Sequence, residues 1–319
     1  LVLALVATAC SDDDGGDAIE TTGPSSSASD GDLDAEVARS AVNALVGHLV
    51  IETDEPSTPA IEVTGTERSF TIPVAETADR HEIAVAGLRG SSDYTITVSA
   101  GDDTVALDLA TGAVPAEFPE FDVVTSADDR MSPGFTMFNL IDNTDQFAEP
   151  DPDNPPVDGY LVVVDDEGEI VWYHRTPHAI GDVRQEPTGT IFHEYNDTGA
   201  RRIDLYGRTL DEWAGRIITG PLKLDAYDRQ VVGDDAIDVD TDAMHHEVAP
   251  LPNGNIVAIS AEKRTWEGFP TEGLCAEEDG IDGSYELISD VIVEFTPEGE
   301  IVETYPLADH LDPVGDPRD

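Results

Sequence analysis

The chain has 319 residues, 39% of them hydrophobic and 6% aromatic, which suffices for two domains with β-rich cores. Sixty-eight acidic residues stand against 16 basic ones, a formal net charge of −52 carried by the whole chain. With no basic patch, a nucleic-acid partner and docking to anionic membranes are disfavoured, and a surface of halophilic type is expected, whose self-repulsion salt screens.

Residues 1–10 run from Leu1 through apolar residues to Ala9 and Cys10, then turn abruptly to Ser11 and Asp12–Asp14. This is similar to a bacterial lipoprotein signal segment, in which Cys10 carries the lipid. It implies an exported protein that meets the membrane only through that anchor. An ordinary cleaved signal peptide is the alternative. Ten apolar residues are too few for a spanning helix. Cys275, the other cysteine, has no partner within the processed chain. Residues 11–38 are rich in Asp, Ser, Gly and Thr and are expected to form a disordered acidic linker.

From 39 to 115 short alternating strands follow one another: Ala44–Thr53, Ala60–Val63, Phe70–Val74, Glu82–Val85, Tyr94–Val98 and Val105–Leu109. This spacing predicts a β-sandwich. Gly87-Leu88-Arg89-Gly90-Ser91-Ser92-Asp93-Tyr94 resembles the tyrosine-corner region of a fibronectin type III domain, which makes Leu88 a core residue and Tyr94 the corner. Such a module spaces or supports and needs no active site.

After a linker at 113–133, residues 120–319 show a repeat. Val164-Asp165-Asp166-Glu167-Gly168-Glu169-Ile170 is strand, acidic glycine turn, strand. Leu205-Tyr206-Gly207-Arg208 and Phe295-Thr296-Pro297-Glu298-Gly299-Glu300 restate it. Gly168 and Gly207 are 39 residues apart, and Gly207 and Gly299 are 92, two steps of 46. Further hairpins fall at Thr188-Gly189 and Asn253-Gly254. Periods of this length, with two hairpins each, indicate a β-propeller. The fold class is therefore all-β: a sandwich followed by a propeller, with room for about four blades at ~40–45 residues each.

The chemistry is expected at His245-His246-Glu247, just ahead of a strand and the Asn253-Gly254 turn, for which both turn residues are expected at positive φ. Imidazole titrates near neutrality and serves as base, nucleophile or ligand. Opposed to this is a pair of ordinary loop histidines. His178 precedes the strand of the Thr188-Gly189 hairpin and is read as a parallel, substrate-binding position. A packed or exposed histidine is the alternative for His178, which is grouped with His174 and His193. Pro177 between His174 and His178 argues against a helical zinc face. Asp238, Asp240 and Asp242 are spaced like a calcium loop, but Ala243 and Ala249 stand where Gly and Glu belong. No Walker loop, G-x-S-x-G or dinucleotide glycine motif is present.

His245-His246-Glu247 with Leu251-Pro252-Asn253-Gly254-Asn255, the blade pattern and Met131-Ser132-Pro133-Gly134-Phe135-Thr136 together resemble the bacterial arylsulfotransferases. The resemblance runs from about residue 40 to the end. It implies a six-bladed propeller that moves a sulfuryl group from a phenolic sulfate donor to a phenol acceptor. A sulfated histidine is the intermediate, and no nucleotide donor and no cofactor are needed. His246 takes a sulfate-binding or acid–base role, His245 is the second candidate, and Glu247 orients His246 or nearby backbone. The family's later nucleophilic histidine, its arginine and its W-x-H-x-N-S and S-x-R-H segments are not matched. They are expected beyond Asp319, which would leave this stretch an inactive fragment. A non-catalytic cell-surface propeller binding carbohydrate or protein is the main alternative, and another propeller enzyme, a hydrolase or metal-dependent oxidoreductase, is the third.

Overall fold

The computed structural model describes residues 19–116, 118, 121, 123–124, 130, 132, 134–141, 159–176, 179–195, 198–215, 233, 235–267 and 284–310. The chain is all-β and divides into two compact units. The first is Leu1–Thr176 with Gln185–Ile191 and Ile203–Thr209; the second is Pro177–Arg184, Phe192–Arg202 and Leu210–Asp319.

The first unit contains two four-stranded sheets. One is ordered β1-β2-β3-β6, from Thr21–Asp30, Leu33–Ser40, Gly47–Ser57 and Ala78–Val85. The other is ordered β5-β4-β7-β8, from Ser69–Ile72, Ala60–Gly65, Asp93–Ala100 and Asp103–Ala110. Alternation along each strand sends one set of side chains inward. Leu33, Val37, Leu49, Ile51, Ile61, Val63, Ile83, Leu88, Ile96, Val98 and Leu107 form the core between the sheets. Each contributes about 1.5–3 kcal/mol by leaving water. The Tyr94 hydroxyl accepts a hydrogen bond from the Arg89 amide at 2.8 Å, fixing the corner before β7.

Two expectations are corrected here. The stretch expected as disordered up to residue 38 contains β1 and β2, and the sandwich begins at Thr21, not at 39. Leu33, Ala35 and Val37 alternate with Asp34 and Glu36, so β2 buries an apolar face despite its acidic context. β1 is almost wholly exposed and is held by its antiparallel pairing to β2.

The first unit also holds a sheet ordered β11-β10-β9, from Ile170–Thr176, Gly159–Val164 and Thr136–Ile141. One face, with Tyr160, Val162 and Tyr173, packs on Leu45 and Phe118. Polar contacts fasten it to the sandwich. Asn43 Nδ2 donates to the Tyr173 carbonyl at 2.8 Å, and the Ala44 amide to the Tyr173 hydroxyl at 3.0 Å. The Asp165 side chain is fully buried; one oxygen accepts the Glu167 and Glu169 amides and the other meets Arg89 Nη2 at 2.7 Å.

The second unit is built on two sheets. One runs β12-β13-β14-β15-β16, from Val183–Gln185, Ile191–Tyr195, Gly199–Ile203, Thr209–Gly215 and Ile237–Val239, the last joining in parallel. The other runs β17-β18-β19-β20, from Val248–Pro250, Ile256–Glu267, Ser284–Phe295 and Ile301–Pro306. Phe192, Ala200 and Trp213 of the first pack on Val248, Ile256, Ala258, Val291, Val293 and Phe295 of the second.

The repeat seen in the sequence is real at the level of turns. At 165–169, 186–190, 204–208, 251–255 and 296–300 the first amide bonds the fifth carbonyl, and the fourth amide bonds the first carbonyl. The fourth residue is Gly168, Gly189, Gly207, Gly254 or Gly299, each at φ between 84° and 90°. A second repeated bond accompanies it. Trp172 Nε1 donates to the Leu205 carbonyl and Trp213 Nε1 to the Pro297 carbonyl, both at 2.7 Å, each carbonyl belonging to the second residue of such a turn. Where about four blade-like sheets were expected, the described residues form three, and none closes on itself.

Candidate functional site

The His245–Glu247 segment sits at the entry to β17. The His245 amide donates to the Ile259 carbonyl at 2.9 Å, and the Ile259 amide donates to the Glu247 carbonyl at 3.1 Å. The chain therefore pairs on both sides of His246 and bulges at it. The Glu247 amide closes back on the His245 carbonyl at 2.7 Å, a three-residue γ-turn centred on His246. His246 has φ +63°. A left-handed conformation at a non-glycine residue costs of order 1 kcal/mol and is concentrated at functional positions.

The turn brings the two rings together. His245 Nδ1 and His246 Nδ1 are 2.8 Å apart with the ring planes near perpendicular, so one nitrogen donates and the other accepts. His245 Nε2 faces Asp290 Oδ1 at 3.7 Å. The His245 side chain is 14% exposed, whereas His246 is exposed. An imidazole enclosed in a shared axial cavity is thus not what the described residues form: His246 is exposed.

The segments that enter β12 and β17 meet beside this turn. The Glu194 amide bonds the Asp182 carbonyl at 2.9 Å, as the Ile259 amide bonds that of Glu247. Counted from the turn glycines, Glu194 and Ile259 are equivalent, as are Asp182 and Glu247, and Gly181 takes the place of His246. Gly181 lies against the His246 carbonyl, which a β-carbon there would approach to 3.5 Å. Its amide donates to buried Glu194 Oε2 at 2.7 Å. Arg184 of β12 spans the gap: Nε donates to Asp182 at 2.9 Å and Nη2 to Glu247 at 3.0 Å. The hydrogen bond to Asp182 raises the guanidinium pKa further.

Glu247 therefore holds Arg184, and the ring partner of His246 is His245. Asn253-Gly254 is also not the expected turn with two positive φ values. Only Gly254 is left-handed, in a longer loop of the bulged kind. Asn253 and Asn255 both donate to Glu294 Oε1, at 3.1 and 2.5 Å, and these bonds lower the pKa of that carboxyl. The Leu-Pro-Asn-Gly-Asn stretch is thus a brace for β18 and β19.

His178 and Cys10 lie outside the described residues. The repeat register gives the place of His246 to Gly181, ahead of β12 and three residues beyond His178. His193 is fully buried with Nδ1 near the Glu194 carbonyl, and His174 stacks on Trp172. Among the described residues no group of three His, Cys, Asp or Glu is placed to hold a metal ion, so Asp238, Asp240 and Asp242 assemble no such cluster. Sequence reasoning missed Arg184 and Asp290. The matching Asp182 and Glu247 positions were a usable signal for Arg184; the contact of Asp290 with His245 arises only from strand pairing.

A search of curated proteins finds no match. The family model described as arylsulfotransferase (ASST) matches residues 120–318, well over half of the chain and all of the stretch that carries the His245–Glu247 turn. The chain belongs to the arylsulfotransferase family.

Proposed function

We propose that this protein moves a sulfuryl group from a phenolic sulfate ester to a phenol through a sulfated histidine, without a nucleotide donor, and that His246 is the acid–base group. The 2.8 Å contact between the two Nδ1 atoms carries this reading. Asp290 favours a hydrogen on His245 Nε2. His245 Nδ1 then accepts from His246 Nδ1–H, and His246 Nε2 keeps its lone pair toward solvent. In the first half-reaction His246 Nε2 has taken a proton from solvent; a histidine nitrogen attacks sulfur, the sulfur–oxygen bond to the aryl group breaks, and the phenolate takes that proton from Nε2. In the second, the acceptor phenol gives its proton to His246 Nε2 as its oxygen attacks sulfur and the nitrogen–sulfur bond breaks.

The same reading makes the three sheets part of a propeller and the sandwich a fibronectin type III-like module. The topology of the two sandwich sheets and the Tyr94 corner support the module; the repeated turns and tryptophan bonds support the propeller. Export with a lipid on Cys10 completes the proposal, supported by the apolar run before that cysteine. No helix of the described residues is long and apolar enough to cross a membrane.

The test is transfer from 4-nitrophenyl sulfate to phenol by the full-length protein, against His246→Gly. Loss of a general acid–base group lowers the rate by about 10²–10⁴-fold. Equal rates would remove His246 from the mechanism.

A further inference from the structure

We infer that the sandwich carries a binding site for a neutral glycan, on the outer face of the β5-β4-β7-β8 sheet. The inference is independent of the function proposed for the His246 turn. A cleft of about 1000 Å³ opens there, at the upper end of the range for small-molecule sites. Its floor follows from strand register. Thr64, Thr95 and Asp108 stand opposite one another across β4, β7 and β8, and Asp93 and Ala110 form the next outward row. Tyr94 and Leu109, in the row between, turn into the core and are buried. The outward side chains are short and polar, and they leave a hollow. β1 makes the wall. Between Thr22 and Ser26 three residues of β1 stand against Ala38 alone, and this bulge brings Pro24 and Ser25 to the cleft beside Ser26 and Ser27. The serines of a strand that adds little to the core are thereby accounted for.

The lining selects the ligand. None of the described residues that line the cleft is basic, two are aspartates, and the chain carries a net charge of −52, so an anion is repelled. A peptide strand finds these positions of the β8 edge already taken. The Asp108 amide donates to Ser26 Oγ and the Thr104 amide to an Asp30 oxygen, both at 3.1 Å. A metal ion finds no group of three acidic, histidine or cysteine ligands among the described residues. What the cleft offers is hydroxyls and carboxylate. The side chains of Ser25, Ser27, Thr64, Thr66 and Asp93 have no hydrogen-bond partner among the described residues. A hydroxyl both donates and accepts, and a carboxylate accepts from neighbouring sugar hydroxyls in charge-assisted bonds. Strands hold these groups in place before a sugar arrives.

The experiment is electrophoresis of the 319-residue protein in native gels cast with dextran, xylan or mixed-linkage β-glucan, read against a non-binding marker, with alginate as the anionic polymer. At least one neutral polysaccharide retards the protein, and alginate does not. Asp93→Ala weakens retention about tenfold or more, and Thr66→Ala about threefold. Both positions are exposed, so the melting temperature stays near that of the parent. Glu62→Ala, exposed on the same sheet face but outside the cleft, leaves retention unchanged. No retardation in any of the three neutral gels overturns the inference. So does retention of Asp93→Ala and Thr66→Ala equal to that of the parent, or retention by alginate as strong as by the neutral polymers.

Discussion

The sheets β12–β16 and β17–β20 use the same positions to opposite ends. Counted from the turn glycines, Phe192 corresponds to Val257, Ala200 to Ile292 and Trp213 to Tyr305. In the first sheet this trio is buried and covers the neighbouring sheet. In the second, Ile292 is 39% and Tyr305 45% exposed, with Ile288 and Val302 open nearby. One repeat therefore writes the same apolar face twice, and only a neighbour decides whether that face stabilises the fold. The face of β9–β11 shows a third solution: Leu45 and Phe118 cover Tyr160, Val162 and Tyr173.

The contrast is breakable by mutation. Trp213→Ala removes a fully buried indole and its bond to the Pro297 carbonyl, and should cost about 3–5 kcal/mol. Tyr305→Ala at the equivalent place should cost about 0.5 kcal/mol or less. Urea denaturation of the 319-residue chain compares them. Equal losses would mean that the β20 face is covered in solution.

A second comparison separates buried from exposed charge. Arg89 meets Asp165, whose side chain has no exposure, whereas Arg80 and Glu52 are 42% and 60% exposed. Arg89→Ala leaves the buried Asp165 carboxylate with Arg68 Nη1, at 3.5 Å, as its remaining cation and should cost about 3 kcal/mol. Arg80→Ala should cost about 0.5 kcal/mol. The first loss should persist in molar salt, which screens only exposed pairs. A salt-sensitive Arg89→Ala loss would show that the junction is wet.

The smallest effect expected is one of pH. Burial lowers the His48 pKa, and its Nδ1 lies 3.0 Å from the Tyr206 hydroxyl. The unfolded chain then binds the proton more readily, so this contribution is present above about pH 6.5 and is lost as pH falls below it. His48→Gln should flatten the difference in urea midpoint between pH 7.5 and 5.5. An unaltered slope would assign that pH dependence to other groups.

Much of this was legible in the chain. Alternation located β3–β8, because each of these strands buries one face, and the glycines marked turns that only a left-handed residue can close. β1 escaped notice, since an edge strand of serine and threonine buries little and owes its form to β2. At the site, His245 and His246 stood out by residue type. Arg184 did not, because its approach to Glu247 joins residues 63 positions apart. Nor could composition foretell the left-handed turn at His246, which exists because Ile259 bonds on either side of it.

The central claim is that His246 is held in an unfavourable conformation for chemistry rather than for stability. His246→Gly tests it most directly, because glycine adopts φ +63° freely while losing the imidazole. The account predicts a melting temperature equal to or above that of the parent and sulfuryl transfer reduced at least a hundredfold. Transfer within threefold of the parent, or a variant that loses activity only because it unfolds, would contradict it.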